Sequence, residues 1–258
     1  LSPLLFAIFI DDMVTKVIDE NVGCFISSAC VSIILYADDI VLIAPTVSGL
    51  QRLLTVCELE LVQLDMQINV NKSMCIRFGP RFDHECAELT SMNGGTLKWV
   101  TSCKYLGVYL ISARSFKCSF DQAKSKFFRA FNSIYGKVSC ATTEDIIITL
   151  LKTKCLPIIL YASESCPILS RDMQSLEFAV TRSFMKIFRT GSSVIVEECK
   201  KNFNFISIRS QIAIRTAKFL QAFSASENII CSVLSHRATN QLDSLFSAYG
   251  ENIRTMDT

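Results

Sequence analysis

The order of apolar and polar residues divides the chain into two parts with different periodicities. The first part holds short apolar runs bounded by turn residues, which indicate strands, and two stretches of helical spacing. The predicted strands cover residues 23–27, 31–36, 40–44, 71–79 and 102–110, and the predicted helices cover residues 2–19 and 48–65. Beyond residue 115, the predicted elements are helices over residues 116–137, 143–162, 171–189 and 206–224. We therefore expect an α+β fold in residues 1–113, followed by an all-α region in residues 114–258.

Composition narrows the class of protein. The chain has 258 residues, 50% of them hydrophobic, which is enough for a buried core. Its twelve cysteines are spread singly and it has only two histidines, so we expect buried, reduced thiols in an intracellular protein rather than disulfides or a zinc site. No apolar run reaches the roughly 18 residues that a membrane span needs. The chain begins at Leu1, and we therefore expect a fragment of a longer protein.

Charge is distributed unevenly although the net charge is only +2. Residues 1–60 hold two basic and eight acidic side chains, whereas residues 98–137 hold eight basic side chains and one acidic one. A metal site next to a track for a polyanion would need this arrangement. Solvated helix faces would also produce it, so the charges alone decide nothing.

Two adjacent aspartates interrupt an apolar stretch in "SIILYADDIVLIAP", residues 32–45. Asp38 and Asp39 lie at a predicted turn, residues 37–39, between two strands. Paired carboxylates at the turn of a buried hairpin are costly unless a cation neutralises them. Mg²⁺ prefers oxygen ligands, and two such ions clamp the attacking and leaving oxygens of a phosphoryl transfer. A solvated turn remains the alternative, because exposed turns also favour aspartate.

These residues lie in a segment, "YADDIVLIAP", that closely resembles the catalytic hairpin of reverse transcriptases, in particular those of non-LTR (LINE-type) retrotransposons. "LSPLLFAIFIDDM" resembles the nucleotide- and template-contacting motif, with Ser2 and Pro3 in its Ser-Pro. "INVNKSMCIRFG" is similar to the following palm motif, in which an Asn and a Lys recur, here Asn69 and Lys72. The Ser-Pro pair also suits a helix start, with Ser2 as N-cap and Pro3 at the first helical position.

Two later segments extend the resemblance. "CKYLGVYL" resembles the primer-grip hairpin, and "CLPIILYASES" resembles the segment "LPxxxYGxE" of the thumb and connector, with Ala162 where glycine is usual. The resemblance therefore implies a partial polymerase palm followed by a helical thumb. The five segments occur in the order that the family shows.

The resemblance implies roles for residues of the palm. Asp38 would be the principal metal ligand, and Asp39 would contribute to the metal site less directly. Tyr36 and Ala37 would lie beside the primer end. Lys72 would assist pyrophosphate departure as an acid or electrostatic stabiliser. Ser2 and Pro3 would begin the helix under the nucleotide pocket.

It also implies contacts with nucleic acid. Tyr105, Leu106 and Gly107 would hold the primer backbone, with glycine permitting a close approach. Four basic residues on the first thumb helix would contact phosphates of the template–primer duplex, namely Lys117, Lys124, Lys126 and Arg129. Phenylalanines of the same helix are expected in the core rather than as stacking platforms, namely Phe120, Phe127, Phe128 and Phe131.

The implied reaction is RNA-directed DNA synthesis, in which a primer 3′-hydroxyl attacks the α-phosphate of a deoxynucleoside triphosphate with two Mg²⁺ ions. The implied partners are an RNA template, a DNA primer and the nucleotide, with no membrane, and the implied locations are a cytoplasmic ribonucleoprotein and the nucleus. The oligomeric state is left open.

The family needs a further catalytic aspartate on a strand upstream of the Ser-Pro helix, and these 258 residues do not include that strand or the fingers. We expect Asp11 and Asp12, in the middle or at the end of the first helix, not to reach the turn, and the chain alone to be inactive. Two alternatives remain: a non-enzymatic nucleic-acid-binding relic of a truncated element, and an intron-encoded maturase, which shares YADD. The combination of "YLGVYL" with "CLPIILYASES" favours the LINE type.

Overall fold

The computed structural model describes residues 2–139 and 141–250, and it gives only the backbone for Ser2 and Pro3. The strands are β1 Phe25–Ile26, β2 Ala29–Cys30, β3 Ile33–Tyr36, β4 Asp39–Leu42, β5 Met74–Cys75, β6 Leu89–Thr90, β7 Thr96–Trp99, β8 Ser102–Tyr105, β9 Val108–Ile111 and β10 Lys117–Ser119. The helices are α1 Ser2–Phe9, α2 Asp11–Asp19, α3 Val47–Gln63, α4 Asp121–Val138, α5 Glu144–Leu150, α6 Leu156–Ile159, α7 Ser170–Ile187, α8 Ser193–Asn202, α9 Ile208–Ser224 and α10 Ile229–Tyr249. A π-helical turn, Leu151–Cys155, connects α5 to α6.

The expected α+β class is confirmed, because every described element from Asp121 onward is helical and all ten strands precede it. The sequence pattern missed the short strands β6, β7 and β10 and the helices α8 and α10. None of the described helices combines the length and the apolar character that crossing a membrane would require.

The chain forms two compact units. The first contains the residues up to Cys103 together with Ser112–Ser115 and Ser226–Ser235, and the second contains Lys104–Ile111, Phe116–Ala225 and the residues from His236 onward. The expected boundary after residue 113 stays a prediction, and the structure adds that β9 belongs to the second, mainly helical unit.

In the first unit, the hairpin β3–β4 packs its inner face on α2 and α3. Six buried side chains form this core, namely Ile10, Met13, Val17, Leu53, Cys57 and Leu61, and Ile33, Leu35, Ile40 and Leu42 of the hairpin cover them. A second small core lies between α3 and the three-stranded sheet with strand order β5-β7-β6. Both cores share α3, so this helix fixes the hairpin relative to the sheet.

Polar side chains of α3 fasten it to the β6–β7 hairpin. The Gln51 amide donates to the Thr90 carbonyl and accepts from the Thr90 N–H, both at 2.8 Å. The buried Glu58 carboxylate accepts from the Ser91 hydroxyl and, at 3.0 Å, from the Met92 N–H. A buried carboxylate is stable only with such donors, so Glu58 is part of the fold rather than a free ligand.

The single helix predicted for residues 2–19 is wrong, because the structure breaks it at Ile10, whose φ and ψ are −101° and 3°. Asp11 and Asp12 occupy the first turn of α2, where the helix dipole favours negative charge. They therefore begin a helix and do not lie in its middle or at its end.

The second unit is built on a large apolar core contributed by α4 to α9. Phe127 and Phe131 of α4 are buried in it, Phe120 is buried just before the helix, and Phe128 packs against it from a partly exposed position. The expectation that these phenylalanines belong to the core is confirmed.

Two predicted helices of this unit differ from the structure. The predicted start at residue 116 is wrong, because Lys117–Ser119 pairs with β9 in the antiparallel register Lys117↔Ile111 and Ser119↔Tyr109. The helix begins at Asp121, whose N–H donates to the Ser119 hydroxyl at 3.2 Å. The helix predicted over residues 143–162 is interrupted by the π-helical turn, whose neighbour Pro157 has no N–H to offer the preceding turn.

Candidate functional site

The two adjacent aspartates lie where the sequence predicted them, at the tip of an antiparallel hairpin. β3 and β4 pair in a register that runs from Ile33↔Leu42 to Tyr36↔Asp39, so Ala37 and Asp38 form a two-residue turn. Ala37 has a φ of 52°, and positive φ at the first central residue is a property of tight hairpin turns. Asp39 is the first residue of β4 and not part of the turn.

Only one face of the hairpin is buried. Leu35 and Ile40 face the core on α2 and α3, whereas Ile34 and Tyr36 are 39% and 62% exposed. Alternation along β3 therefore places the Tyr36 ring on the solvent side. The expected buried hairpin is thus corrected to a half-buried one.

Asp38 and Asp39 are both exposed, and within the described residues neither carboxylate has a hydrogen bond or ion pair from the protein. The predicted desolvation cost therefore does not arise. What the structure offers is a pair of unengaged carboxylates at a tight hairpin turn, which is a suitable donor set for a hard divalent ion. No cluster of three or more His, Cys, Asp or Glu side chains suited to a metal occurs among the described residues, so the pair would supply only part of a coordination shell.

Lys72 lies on a turn that Asn69 organises. The Asn69 carboxamide oxygen accepts from the N–H groups of Asn71 and Lys72 at 3.1 and 3.2 Å, and its carbonyl accepts from the N–H groups of Lys72 and Ser73 at 3.0 and 2.9 Å. Asparagine side chains commonly build such turns. Asn69 therefore has a structural role in this turn, while the Lys72 side chain is exposed.

The Ser-Pro pair was expected to start the first helix, and α1 does begin at Ser2. The side chains of Ser2 and Pro3 lie outside the described residues, so their predicted capping and nucleotide-pocket roles stay predictions. The rest of α1 exposes apolar side chains, among them Leu4 at 65% and Ile8 at 65%.

In the second unit, the predicted primer-grip segment forms the turn between β8 and β9. Its two central residues, Leu106 and Gly107, have φ values of 44° and 86°. Two consecutive positive φ angles are the requirement of a type I′ hairpin turn. A leucine in this region is strained, whereas glycine is not.

Tyr161, two residues after the end of α6, lies directly against this turn. Its hydroxyl donates to the Leu106 carbonyl at 3.0 Å, and a Cβ added to Gly107 would lie 2.9 Å from the tyrosine Cε1. The close approach of the primer that the resemblance implied at this glycine stays a prediction. The structure adds an internal reason for glycine, since an added Cβ would be strained at this φ angle and would push against the tyrosine ring.

The resemblance of "CLPIILYASES" to the thumb and connector segment implied no role for Tyr161. The residue after it, Ala162, has a φ of 54°, which explains why glycine is usual at this position of the family segment. The buried Ser163 hydroxyl donates to the Leu160 carbonyl at 2.8 Å. The family segment "LPxxxYGxE" therefore contained a signal for a structural role of Tyr161, namely a glycine position directly after the aromatic residue.

Glu164 ties the same segment to α9. The Arg215 guanidinium donates from Nε and Nη2 to the two carboxylate oxygens at 3.1 and 3.2 Å, which is bidentate geometry. Burial opposes the charged form of Glu164, but the Arg215 hydrogen bond and charge, with the Ser163 hydroxyl, outweigh it and lower the pKa of the carboxyl from 4.5.

The four basic residues expected to contact phosphates have different surroundings. Lys126 and Arg129 are exposed on α4, and Lys117 is partly buried on β10, so the expectation that it lies on the helix is wrong. The Lys124 ammonium donates to Ser175 at 2.7 Å and pairs with Asp121 at 2.8 Å, and this lowers the pKa of Asp121. Lys124 is thus engaged within the protein.

A pocket of about 380 Å³ lies beside the Leu106–Gly107 turn, wholly within the second unit. Its mostly apolar wall includes Tyr109, Pro157 and Tyr161, and the Lys126 side chain contributes charge.

The eleven described cysteines are free thiols; Cys57, Cys75, Cys118 and Cys155 are buried and the other seven are partly buried. Burial, with a smaller effect of Glu58, raises the pKa of Cys57 to about 12. Such thiols are poor nucleophiles, so these buried cysteines suit packing rather than chemistry.

The first part of the chain matches a known family model. Residues 1–110 match the family model described as reverse transcriptase (RNA-dependent DNA polymerase). The match includes the hairpin of Asp38 and Asp39, Lys72 and the Leu106–Gly107 turn, and it ends before the helices of the second unit. No curated protein matches the chain.

Proposed function

We propose that this chain is the C-terminal part of an RNA-directed DNA polymerase of a non-LTR retrotransposon, a partial palm followed by a thumb. The observation that carries the proposal is the pair of exposed, unengaged carboxylates at the tip of the β3–β4 hairpin, within the residues that match the reverse transcriptase family. The family match supports the polymerase class.

Asp38 and Asp39 would hold divalent metal, because both carboxylates are free of protein partners among the described residues and are fixed by the paired strands. Two Mg²⁺ ions would supply charge stabilisation for nucleotidyl transfer to the primer 3′-hydroxyl. Tyr36 and Ala37 would contact the primer end from the same turn, and the exposed Lys72 would donate a proton or charge to the departing pyrophosphate.

The partners in this proposal are an RNA template, a DNA primer and deoxynucleoside triphosphates. The second unit would contact the duplex through Lys126 and Arg129, whose side chains are exposed on α4. Lys117 and the Leu106–Gly107 turn would add backbone contacts. The cellular locations in this proposal are a cytoplasmic ribonucleoprotein and the nucleus.

The non-LTR type is supported by the contact between Tyr161 and the Leu106–Gly107 turn. This contact joins the "YLGVYL" and "LPIILYASE" segments, whose combination resembles LINE-type polymerases. An intron-encoded maturase would share the YADD hairpin, but the combination of these two segments favours the LINE type.

The test is primer extension on an RNA template with Mg²⁺. Residues 1–258 alone should incorporate no nucleotide, because the further catalytic aspartate that the family needs would lie on a strand upstream of the Ser-Pro helix. The same chain extended by its upstream reading frame should incorporate nucleotides, and Asp38→Ala should abolish incorporation. Asp83→Ala is the matched control, because Asp83 is also an exposed aspartate of the first unit but lies outside the hairpin.

Three results would contradict parts of the proposal. Incorporation by residues 1–258 alone that disappears in Asp38→Ala would overturn the expected inactivity. An extended chain that binds duplex with a steep salt dependence but never incorporates nucleotide would favour the nucleic-acid-binding relic. Equal loss in Asp83→Ala and Asp38→Ala would show that the assay reports folding rather than the hairpin carboxylates.

A further inference from the structure

We propose that Tyr161 is a positioning residue, which holds the Leu106–Gly107 turn in the conformation that contacts nucleic-acid backbone. The inference deepens the proposed function and rests on it. It concerns a residue outside the family match, which ends at residue 110.

The turn needs external support. Leu106 has a φ of 44°, in a region where a side chain with a Cβ costs roughly 1–2 kcal/mol. The residue is 39% exposed, so burial of its own side chain contributes only partly to holding it there. A strained, exposed turn persists only when neighbouring groups fix it.

Tyr161 provides this support in two ways. Its hydroxyl donates to the Leu106 carbonyl at 3.0 Å, which fixes the orientation of the peptide that joins the two central residues. Its ring covers Gly107 so closely that an added Cβ would lie 2.9 Å from Cε1 and 3.3 Å from the hydroxyl oxygen. The two contacts restrict the turn from the same side.

Tyr161 is itself held in place. The Ser163 hydroxyl bonds to the Leu160 carbonyl, and Glu164 makes its bidentate pair with Arg215 of α9. Tyr161 is nevertheless 56% exposed and borders the 380 Å³ pocket, so its ring has room to move. The Leu106–Gly107 turn therefore depends on Tyr161, a residue whose backbone is anchored and whose ring can be displaced.

The experiment uses residues 1–258 and has two readouts. The first is the backbone ¹³C chemical shift of Leu106, which reports its φ angle without nucleic acid. The second is the affinity for a fluorescently labelled RNA–DNA duplex, measured by anisotropy at several salt concentrations. Tyr135→Phe is the matched control, because that hydroxyl also donates to a backbone carbonyl, of Lys186, at 3.1 Å in the same unit.

Tyr161→Phe should move the Leu106 shifts and weaken duplex binding about three- to fivefold, the factor that one lost hydrogen bond gives when binding requires the ordered turn. Tyr161→Ala should weaken binding about tenfold. Neither variant should change the slope of affinity against salt, because Tyr161 makes no phosphate contact. Tyr135→Phe should match the wild type in both readouts.

Gly107→Ala tests the ring contact. It should displace Tyr161 and weaken binding about tenfold, and in the Tyr161→Ala background the same substitution should cost less, because only the φ strain remains. Gly94→Ala is the control that has backbone strain without a steric contact, since Gly94 has a φ of 78° and no atom lies within 4 Å of an added Cβ.

The outcomes separate this inference from the proposed function. Unchanged Leu106 shifts in Tyr161→Phe and Tyr161→Ala would overturn the inference and leave the polymerase proposal standing. Shifts that move while duplex affinity stays at the wild-type value would show a purely structural tyrosine and also overturn it. A wild-type chain with no affinity for the duplex would contradict the nucleic-acid role of the second unit, and the inference would fall with it.

Discussion

Two lysines of α4 with different surroundings, Lys124 and Lys126, give the sharpest test of the nucleic-acid surface. Lys126 is exposed, whereas the Lys124 ammonium is occupied by Ser175 and Asp121 and its side chain is 24% exposed. Alanine is a good helix former, so neither Lys→Ala substitution should disturb α4 by itself. The pair therefore separates a phosphate contact from an internal one.

The magnitudes follow from the surroundings. Each lost phosphate contact reduces the steepness of log affinity against log salt by about 0.9. Between about 50 and 200 mM salt, the factor by which Lys126→Ala loses affinity should therefore be about 3.5 times smaller than that of the wild type. Lys124→Ala should leave the slope unchanged. It should lower the free energy of unfolding by about 1–2 kcal/mol, because it removes a charged hydrogen bond whose partner Asp121 is largely exposed. This corresponds to a fall of about 3–6 °C in melting temperature.

The assay is anisotropy of a labelled RNA–DNA duplex over a salt series, with thermal unfolding of the same samples. A wild-type slope in Lys126→Ala would rule out a phosphate contact of this lysine, because the exposed ammonium would then touch no phosphate. A reduced slope in Lys124→Ala would equally contradict the internal contact of Lys124, since that charge would have to leave Ser175 and Asp121 to reach the duplex.

Three further predictions concern stability. Ala162→Gly should raise the free energy of unfolding by about 0.5–1 kcal/mol in urea, because residue 162 has a φ of 54°, and a loss would show that the alanine methyl matters more than strain. Glu58→Ala should cost about 3 kcal/mol, since the Ser91 and Met92 donors lose their acceptor, whereas a cost under 1 kcal/mol would mean that water replaces it. Glu164→Gln should destabilise the protein at neutral pH. The deficit should shrink below pH 4.5, because a lowered carboxyl pKa stabilises the fold only while the unfolded group is ionised, and a deficit independent of pH would exclude the ion pair as its cause.

How far the sequence predicted the fold depends on how local each contact is. The hairpin of Asp38 and Asp39 was predicted from apolar runs on either side of a turn, and its strands pair only with each other. β10 was missed because its pairing partner is β9, and nothing in "FKCS" itself indicates a strand. The break at Ile10 was missed because the apolar spacing continues through it. Contacts made elsewhere in the chain decide such elements, and periodicity does not record them.

The candidate site shows the same division. Asp38, Asp39 and Lys72 were proposed from their motifs and their roles stay predictions, whereas the assumed desolvation of Asp38 and Asp39 was wrong, because both side chains are exposed. Gly107 was singled out for a close approach of the primer, which stays a prediction, whereas its positive φ and its contact with Tyr161, 54 positions later in the sequence, were not predicted. Lys124 was placed with the phosphate-binding residues because the sequence does not show Ser175 beside it. Residue type predicts chemistry, and only the fold determines whether a group is free.

The π-helical turn at Leu151–Cys155 sets the direction in which Tyr161 points. Such a turn takes one residue more than an α-helical turn, and one residue corresponds to about 100° of rotation about the helix axis. The rotation about the helix axis of the residues after Cys155, including Tyr161, therefore depends on the length of this turn and not on its side chains alone. The loss of a single residue from this turn would rotate Tyr161 about a quarter of a revolution away from its hairpin.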